Sequence, residues 1–268
     1  MISARGLSKS FGTLEVVGPL DLDVVAGSFV SIIGPSGCGK STLLRLLGGL
    51  ELATAGEVVV DGRSPATVRH AKQVAIVPQQ PGLLPWRTVL GNARLLLDVR
   101  RKANPPAASD PEVLLRTVGL ADFLGAYPHQ LSGGMQQRVA LVRALSLGAP
   151  LLLMDEPFAA LDEITRTEMR TLLTDLVEGR GATTLFVTHS IAEAVALADR
   201  VLVTSPRPAT VVADIAVDLA RPRRSGLDDD PRFVQLCAEV RHALQAAMSA
   251  TAITGHPGAT ETETETER

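Results

Sequence analysis

The chain has 268 residues, 46% of them hydrophobic, with two cysteines and a formal net charge of -3. This size fits one α/β domain carrying an inserted subdomain, with apolar content enough for a large core. The charge argues against a general nucleic-acid binder, which would be basic; Cys38 and Cys237, far apart in sequence, cannot make a Cys-rich zinc site and point to a reduced, intracellular chain.

No N-terminal signal is expected, because Arg5 and Lys9 come before any apolar stretch forms. The first 30 residues alternate apolar and polar with glycine breaks, as short strands and turns do. Residues 29–33 form a buried strand running straight into GPSGCGKST at 34–42, and 42–50 (TLLRLLGGL) read as a helix. Residues 56–62 (GEVVVDG) predict a strand ending in an Asp-Gly turn, and 74–77 a further short strand. From 83 to 148 the pattern is mostly helical. A loop at 103–111 breaks it, where Asp110 can cap and Pro111 can take the first helical position. A strand follows at 151–154, then a helix at about 162–179, a strand at 184–187, a helix at about 190–198 and a strand at 200–204. Strands alternating with helices imply a largely parallel sheet, with the helical insert at 83–148.

Near the end, Phe233, Cys237, Val240, Leu244 and Ala247 share one face at helical spacing after the start signal Asp230-Pro231. This is a short amphipathic helix, read as packed on its own domain rather than on a partner. From Thr251 onward the Thr-Glu repeats read as a disordered, acidic tail over 251–268. Nowhere is there an apolar run of about 18 residues, so no membrane span is expected and any membrane role requires docking on a separate subunit.

Residues 34–42 fit G-x-x-x-x-G-K-[ST] between a strand and a helix, the context a phosphate-cradling loop requires. Gly34, Gly37 and Gly39 let backbone N–H groups approach phosphate oxygens, with Pro35, Ser36 and Cys38 as the intervening loop residues, and the helix N-terminus adds its positive dipole end. Lys40 reaches the β/γ-phosphates, the Ser41 hydroxyl ligates Mg2+ and Thr42 supports the α-phosphate side. Asp155 follows four apolar residues, at the exposed end of a buried strand, and is expected in the Mg2+ shell. Glu156, next to it, is placed to accept a proton from the attacking water. In LSGGMQQR (131–138), Ser132 supplies a hydroxyl, and Gly133 and Gly134 permit close backbone approach at a second phosphate-binding helix start. The same chain's phosphates already have the first loop, so this segment is best explained as acting on a nucleotide held by another copy.

GPSGCGKST, LSGGMQQR and LLLMDEP, in that order, resemble the ATPase subunits of ATP-binding-cassette (ABC) transporters over roughly residues 5–220. The resemblance implies a P-loop NTPase fold: a RecA-like α/β core with a mostly parallel sheet, a small β subdomain and an inserted α-helical subdomain. The implied division is an ATPase domain at 1–220 (core 1–82 and 149–220, helical subdomain 83–148), a C-terminal extension at 221–250 and the tail. It also implies ATP and Mg2+ as ligands and further site residues. Phe11 resembles the aromatic that stacks on adenine; alone it could be core or surface. Gln79 resembles the loop glutamine that touches Mg2+ and links the site to the membrane partner; alone it would be a polar loop residue. Asp162, in FAALD, resembles the loop crossing the dimer interface. His189 resembles the histidine contacting the γ-phosphate and attacking water; a lone histidine there could be structural. Pro78 stands where the family often has Phe, and Ser190 where it often has Asp; both flank the chemistry and bear on loop stiffness and rate.

The implied assembly is a homodimer of ATPase subunits on the cytoplasmic face of the inner membrane, docked on two transmembrane permease subunits, with an extracytoplasmic solute-binding protein acting indirectly and no nucleic acid. LLPWRTV (83–89) and residues 200–224, which contain PRP, are similar to importer ATPases for nitrate, sulfonate, taurine and related small anions. Trp86 is expected either to anchor a helix of the membrane subunit or to be a packed hinge residue. Alternatives are the ATPase of another ABC system, for lipid, lipoprotein or drug export, and a soluble ABC ATPase acting on ribosomes or DNA. The latter generally carries two cassettes or long coiled-coil insertions, which this chain lacks.

Overall fold

The computed structural model describes residues 1–177, 180–223 and 226–254. Two sheets organise the described chain. β1 (Ile2–Phe11), β2 (Leu14–Val24) and β4 (Ala55–Val60) form an antiparallel sheet in the order β2-β1-β4. The second sheet has the order β5-β6-β7-β3-β8-β9, built from β3 (Phe29–Ile33), β5 (Val74–Val77), β6 (Leu151–Asp155), β7 (Thr183–Thr188), β8 (Arg200–Thr204) and β9 (Val211–Ala216). All its pairings are parallel except β8 with β9. This is the expected α/β P-loop NTPase class with a mostly parallel sheet.

The central strands bury both faces, which is why they read as continuous apolar runs rather than alternating ones. Period-two geometry sends successive side chains to opposite sides. Phe29 and Ile33 of β3, Leu152 and Met154 of β6, and Phe186 of β7 enter one core. Val30, Ile32, Leu151, Leu153, Leu185 and Val187 enter the other, shared with β1, β2 and α1 (Lys40–Leu47). In the first core Phe186 packs between Phe29 and Phe158, at ring-centroid distances of 5.8 and 5.7 Å. Each such fully buried ring contributes about 1.5–3 kcal/mol.

Expected and observed boundaries differ where a local signal was misread. The helix expected at 42–50 is Lys40–Leu47, because Gly48 and Gly49 stop it and the phosphate loop itself starts it. β1 and β2 span 10 and 11 residues, longer than short strands, with register shifts absorbing the glycine breaks. Neither α2 (Pro65–His70), capped by Ser64, nor the edge strand β9 is among the expected elements; β9 (VVADIA) alternates half-buried and exposed residues, and Asp214 interrupts its apolar residues. The Asp61-Gly62 turn after β4 has positive φ at both residues, as expected of an Asp-Gly pair.

Between β5 and β6 lie α3 (Val89–Asp98), α4 (Pro111–Thr117) and α5 (Gly133–Ser146). Asp110 caps α4 through the N–H of Glu112, with Pro111 at its first position. α6 (Glu163–Val177) and α7 (Ile191–Leu197) complete the crossovers; residues 178–179, expected in the first of these helices, lie outside the described residues. α8 (Pro231–Thr254) runs 24 residues, so it is not short. Phe233, Leu236, Val240 and Ala247 are buried, with Phe233, Leu236 and Val240 in the first core, and the helix packs on α7, β8 and β9 of its own chain. It extends into the stretch read as tail; the Thr-Glu repeats lie outside the described residues.

Candidate active site

In parallel α/β sheets ligands bind beyond the carboxyl ends of the strands, and the chemistry-bearing residues gather at that edge. β3 ends at Ile33, opposite Thr188 of β7, and Gly34 follows it. β6 ends at Asp155, opposite Val187 of β7, and Glu156 follows. β5 ends at Val77, opposite Met154, so Gln79 emerges two residues later beside Asp155's strand. The edge therefore carries, strand by strand, Gln79, Asp155-Glu156, His189 and the loop at 34–42.

The loop is held tightly from below. A Cβ on Gly39, whose φ is +126°, would approach the Val16 carbonyl oxygen to 2.5 Å, so only glycine fits this close approach. Cys38, a buried free thiol, contacts the Thr204 hydroxyl at 3.3 Å and is the small spacer expected. Lys40 is 4% exposed and donates to the carbonyls of Gly34 (2.9 Å) and Pro35 (2.8 Å). Neither acceptor carries a full charge, so the ammonium's charge remains available to an anion at the loop. Ser41 donates to Asp155 Oδ1 at 2.7 Å, which joins the loop helix to the end of β6.

Glu156 has φ +43°, a left-handed conformation rare outside glycine that costs roughly 1–3 kcal/mol and clusters at functional sites. Its N–H donates to the Val187 carbonyl, and its Oε2 lies 3.1 Å from His189 Nδ1. A cavity of about 330 Å³ lies over this edge, lined by Phe11, Gly37, Gly39, Lys40, Ser41, Thr42, Glu156 and Arg207, among others. Phe11 is half exposed, with Lys9 Nζ 4.6 Å from its ring centroid.

Other expected residues lie apart from this cavity. Gln79 is exposed in the loop after β5. Buried Arg143 of α5 donates to the carbonyls of Pro81 (2.6 Å) and Gly82 (2.9 Å), anchoring that loop, and burial pulls its guanidinium pKa below the usual arginine range. Asp162 accepts from the N–H and hydroxyl of Thr165 at the start of α6, and these bonds hold its carboxyl below the usual range. Ser132 caps α5 through the N–H of Met135. The two adjacent glycines differ: a Cβ on Gly133 would meet open space, whereas one on Gly134 would meet Thr165 Cγ2 of α6 at 2.9 Å. Gly134 thus answers a packing demand inside the chain. Residues 131–138 do not line the cavity around Lys40. Ser190 caps α7 through the N–H of Glu193, so the departure from Asp keeps the cap.

Asn92, fully buried, was not singled out from sequence. Its side chain accepts from Leu84 N and donates to the carbonyls of Leu84, Arg87 and Thr88, stapling the loop that presents Trp86. Trp86 is 71% exposed, so the packed-hinge reading is wrong for this chain.

The ABC transporter family matches residues 17–159. The chain belongs to the ABC transporter family. The aliphatic sulfonates import ATP-binding protein SsuB of Rhodopseudomonas palustris is 46% identical over 226 residues, covering 84% of this chain and 77% of that protein. Its counterpart in Cupriavidus necator is 44% identical over 260 residues, covering 96% of this chain and 82% of that protein. A dimeric bacterial ABC transporter cassette superposes with a TM-score of 0.71 at 32% identity, covering 82% of this chain and all of the cassette. A dimeric cassette in a post-hydrolysis state bound to ADP and Pi gives 0.70 at the same identity. The chain is accordingly an ATP-binding ABC ATPase. Among the described residues no helix is long and apolar enough to cross a membrane.

Proposed function

We propose that the chain powers an importer for aliphatic sulfonates or closely related small anions, on the inner-membrane face, through two permease subunits fed by a solute-binding protein. Supporting the solute class are the relatives named for aliphatic sulfonates import; the ATPase subunit's own residues make no solute contact in this reading. Residues 1–82 and 149–220 act as the ATP-binding core, 83–148 as the helical part that meets the permease, and 221–250 as an extension.

The observation carrying the chemistry is the Glu156–His189 contact at the edge where Ser41 meets Asp155. Lys40 and the loop amides bind the phosphates, and Thr42 flanks them. Phe11 supplies the adenine platform. Glu156 accepts the proton of the attacking water, and His189 orients that water and the γ-phosphate. Ser132 and Gly133 of a second copy close on the nucleotide from the far side, with Asp162 in the loop between copies. The Ser41 hydroxyl, the Asp155 carboxylate and the Gln79 amide are hard oxygen donors, a set that fits Mg2+. When bound, Mg2+ neutralises charge on the phosphate oxygens. In this reading catalysis is chiefly positioning and charge stabilisation by these groups.

The test is sulfonate uptake in cells lacking the chromosomal copy. Restored uptake with the wild-type chain, but not with Glu156→Gln, is the expected result. Uptake unaffected by deletion, with another solute's import lost instead, would reject the sulfonate assignment.

A further inference from the structure

The PRP segment after β8 contributes Arg207 to the lining of the cavity over the loop at 34–42. Ala209 forms a parallel bridge with Val17 of β2, its N–H donates to Val16 O at 2.9 Å, and its carbonyl accepts from Gly18 N at 3.0 Å. Its methyl also backs the phosphate loop, since a Cβ on Gly39 would come within 3.2 Å of it. Ser205 donates to Pro208 O and accepts from Thr210 N, bracing the turn. From this turn Arg207 reaches across to the loop. Its Nε and Nη2 both donate to the Gly37 carbonyl oxygen, at 3.1 and 2.6 Å, and its side chain lines the same cavity as Phe11, Lys40, Ser41, Thr42 and Glu156.

A loop that binds anions through successive N–H groups must turn its carbonyl oxygens away, because each would repel a phosphate. Gly37 and Gly39 take left-handed φ values of +71° and +126° to achieve this. Lys40 satisfies the Gly34 and Pro35 carbonyls from one side, and Arg207 satisfies the Gly37 carbonyl from the other. We propose that Arg207 is a nucleotide-positioning residue, which fixes the Gly37 carbonyl outward and holds a positive charge at the mouth of the phosphate site. Arg207 is exposed, so the core does not depend on it. The inference rests on reading 34–42 as the phosphate loop.

The experiment compares Arg207→Ala, Arg207→Lys and Lys40→Ala with wild type, measuring Kd for a fluorescent ATP analogue, KM and kcat for ATP, and melting temperature with and without nucleotide. Arg207→Ala is expected to raise Kd and KM about tenfold, as for loss of a charged hydrogen bond, while kcat stays within about twofold. Arg207→Lys recovers most of the loss, since an ammonium can also donate to the carbonyl. Melting without nucleotide stays unchanged, and the nucleotide-induced rise shrinks. Unchanged Kd and KM in Arg207→Ala would overturn the proposal, and so would a fall in nucleotide-free melting with the ATP-induced rise intact. A lysine variant no better than alanine would also overturn it. Lys40→Ala separates the two readings: lost ATP binding there beside normal binding in Arg207→Ala rejects only the role of Arg207, whereas normal binding in both rejects the phosphate-loop reading itself.

Discussion

Glu156 Oε2 and His189 Nδ1 stand 3.1 Å apart although 33 positions separate them in sequence. They meet because β6 and β7 are neighbouring parallel strands and both residues lie just past the strand ends. Glu156 holds its place through a left-handed backbone and a bond from its N–H to Val187 O. Replacing it by Gln keeps the shape and removes the proton acceptor. Glu156→Gln is expected to bind ATP normally and hydrolyse it about 10²–10⁴-fold more slowly. Steady-state phosphate release checks this; a rate near wild type would place the base elsewhere.

The two signature glycines differ in what surrounds them within the chain. Gly134→Ala forces a methyl against Thr165 Cγ2, and overpacking of this kind costs about 1–3 kcal/mol. Gly133→Ala enters open space within the chain and replaces a helical glycine, which stabilises by up to about 1 kcal/mol. Urea unfolding should show Gly134→Ala destabilised and Gly133→Ala neutral or stabilised. If Gly133 faces a nucleotide on a second copy, Gly133→Ala nonetheless loses ATPase activity. Full activity in that variant would contradict the shared-site reading.

Glu193 is a buried carboxyl within 3.5 Å of Arg166 that accepts a bond from the Thr188 hydroxyl. Burial pushes its pKa above the usual glutamate range, partly opposed by Thr188 and Arg166. The folded state therefore holds its proton to higher pH than the unfolded chain. The group's contribution to stability is greatest below the unfolded pKa and declines as pH rises through the raised one. Glu193→Gln, which keeps an acceptor for Thr188, should flatten that decline. Urea midpoints across about pH 4 to 8 for both proteins test this; identical slopes would show that the Glu193 pKa does not change on folding.

Trp86 projects from a loop stapled by Asn92. Trp86→Ala is expected to leave the basal ATPase of the isolated chain unchanged and to weaken coupled transport severalfold, as removal of an interfacial aromatic anchor does. Comparing ATPase rates with and without the permease in proteoliposomes checks this. Undiminished coupling would remove Trp86 from the docking surface.

The strand–loop–helix unit at 29–47 and the Asp155-Glu156 strand end were legible because each combines an apolar run with an unmistakable break. Helix starts at Asp110 and Pro111 were legible for the same local reason. β9 was not, because Asp214 interrupts its apolar residues and no residue of this edge strand is fully buried. α8 was read too short, since its continuation past Ala247 alternates small residues without a hydrophobic stripe. Arg143, Asn92, Glu193 and Arg207, none of them expected from the sequence, are polar groups whose partners are backbone carbonyls or other side chains, distant in sequence for Arg143 and Arg207 and nearby for Asn92. Nothing at their own positions marks them; only the fold brings their partners into reach.

Each ATP is expected to be held between two copies of this chain. Size-exclusion chromatography with light scattering on Glu156→Gln, with and without ATP, tests it most directly. The expected result is a monomer that becomes a dimer only with ATP, and no dimer when Gly133→Arg is added to the same chain although ATP still binds. A Glu156→Gln chain that stays monomeric with ATP bound, or a dimer that survives Gly133→Arg, would contradict it.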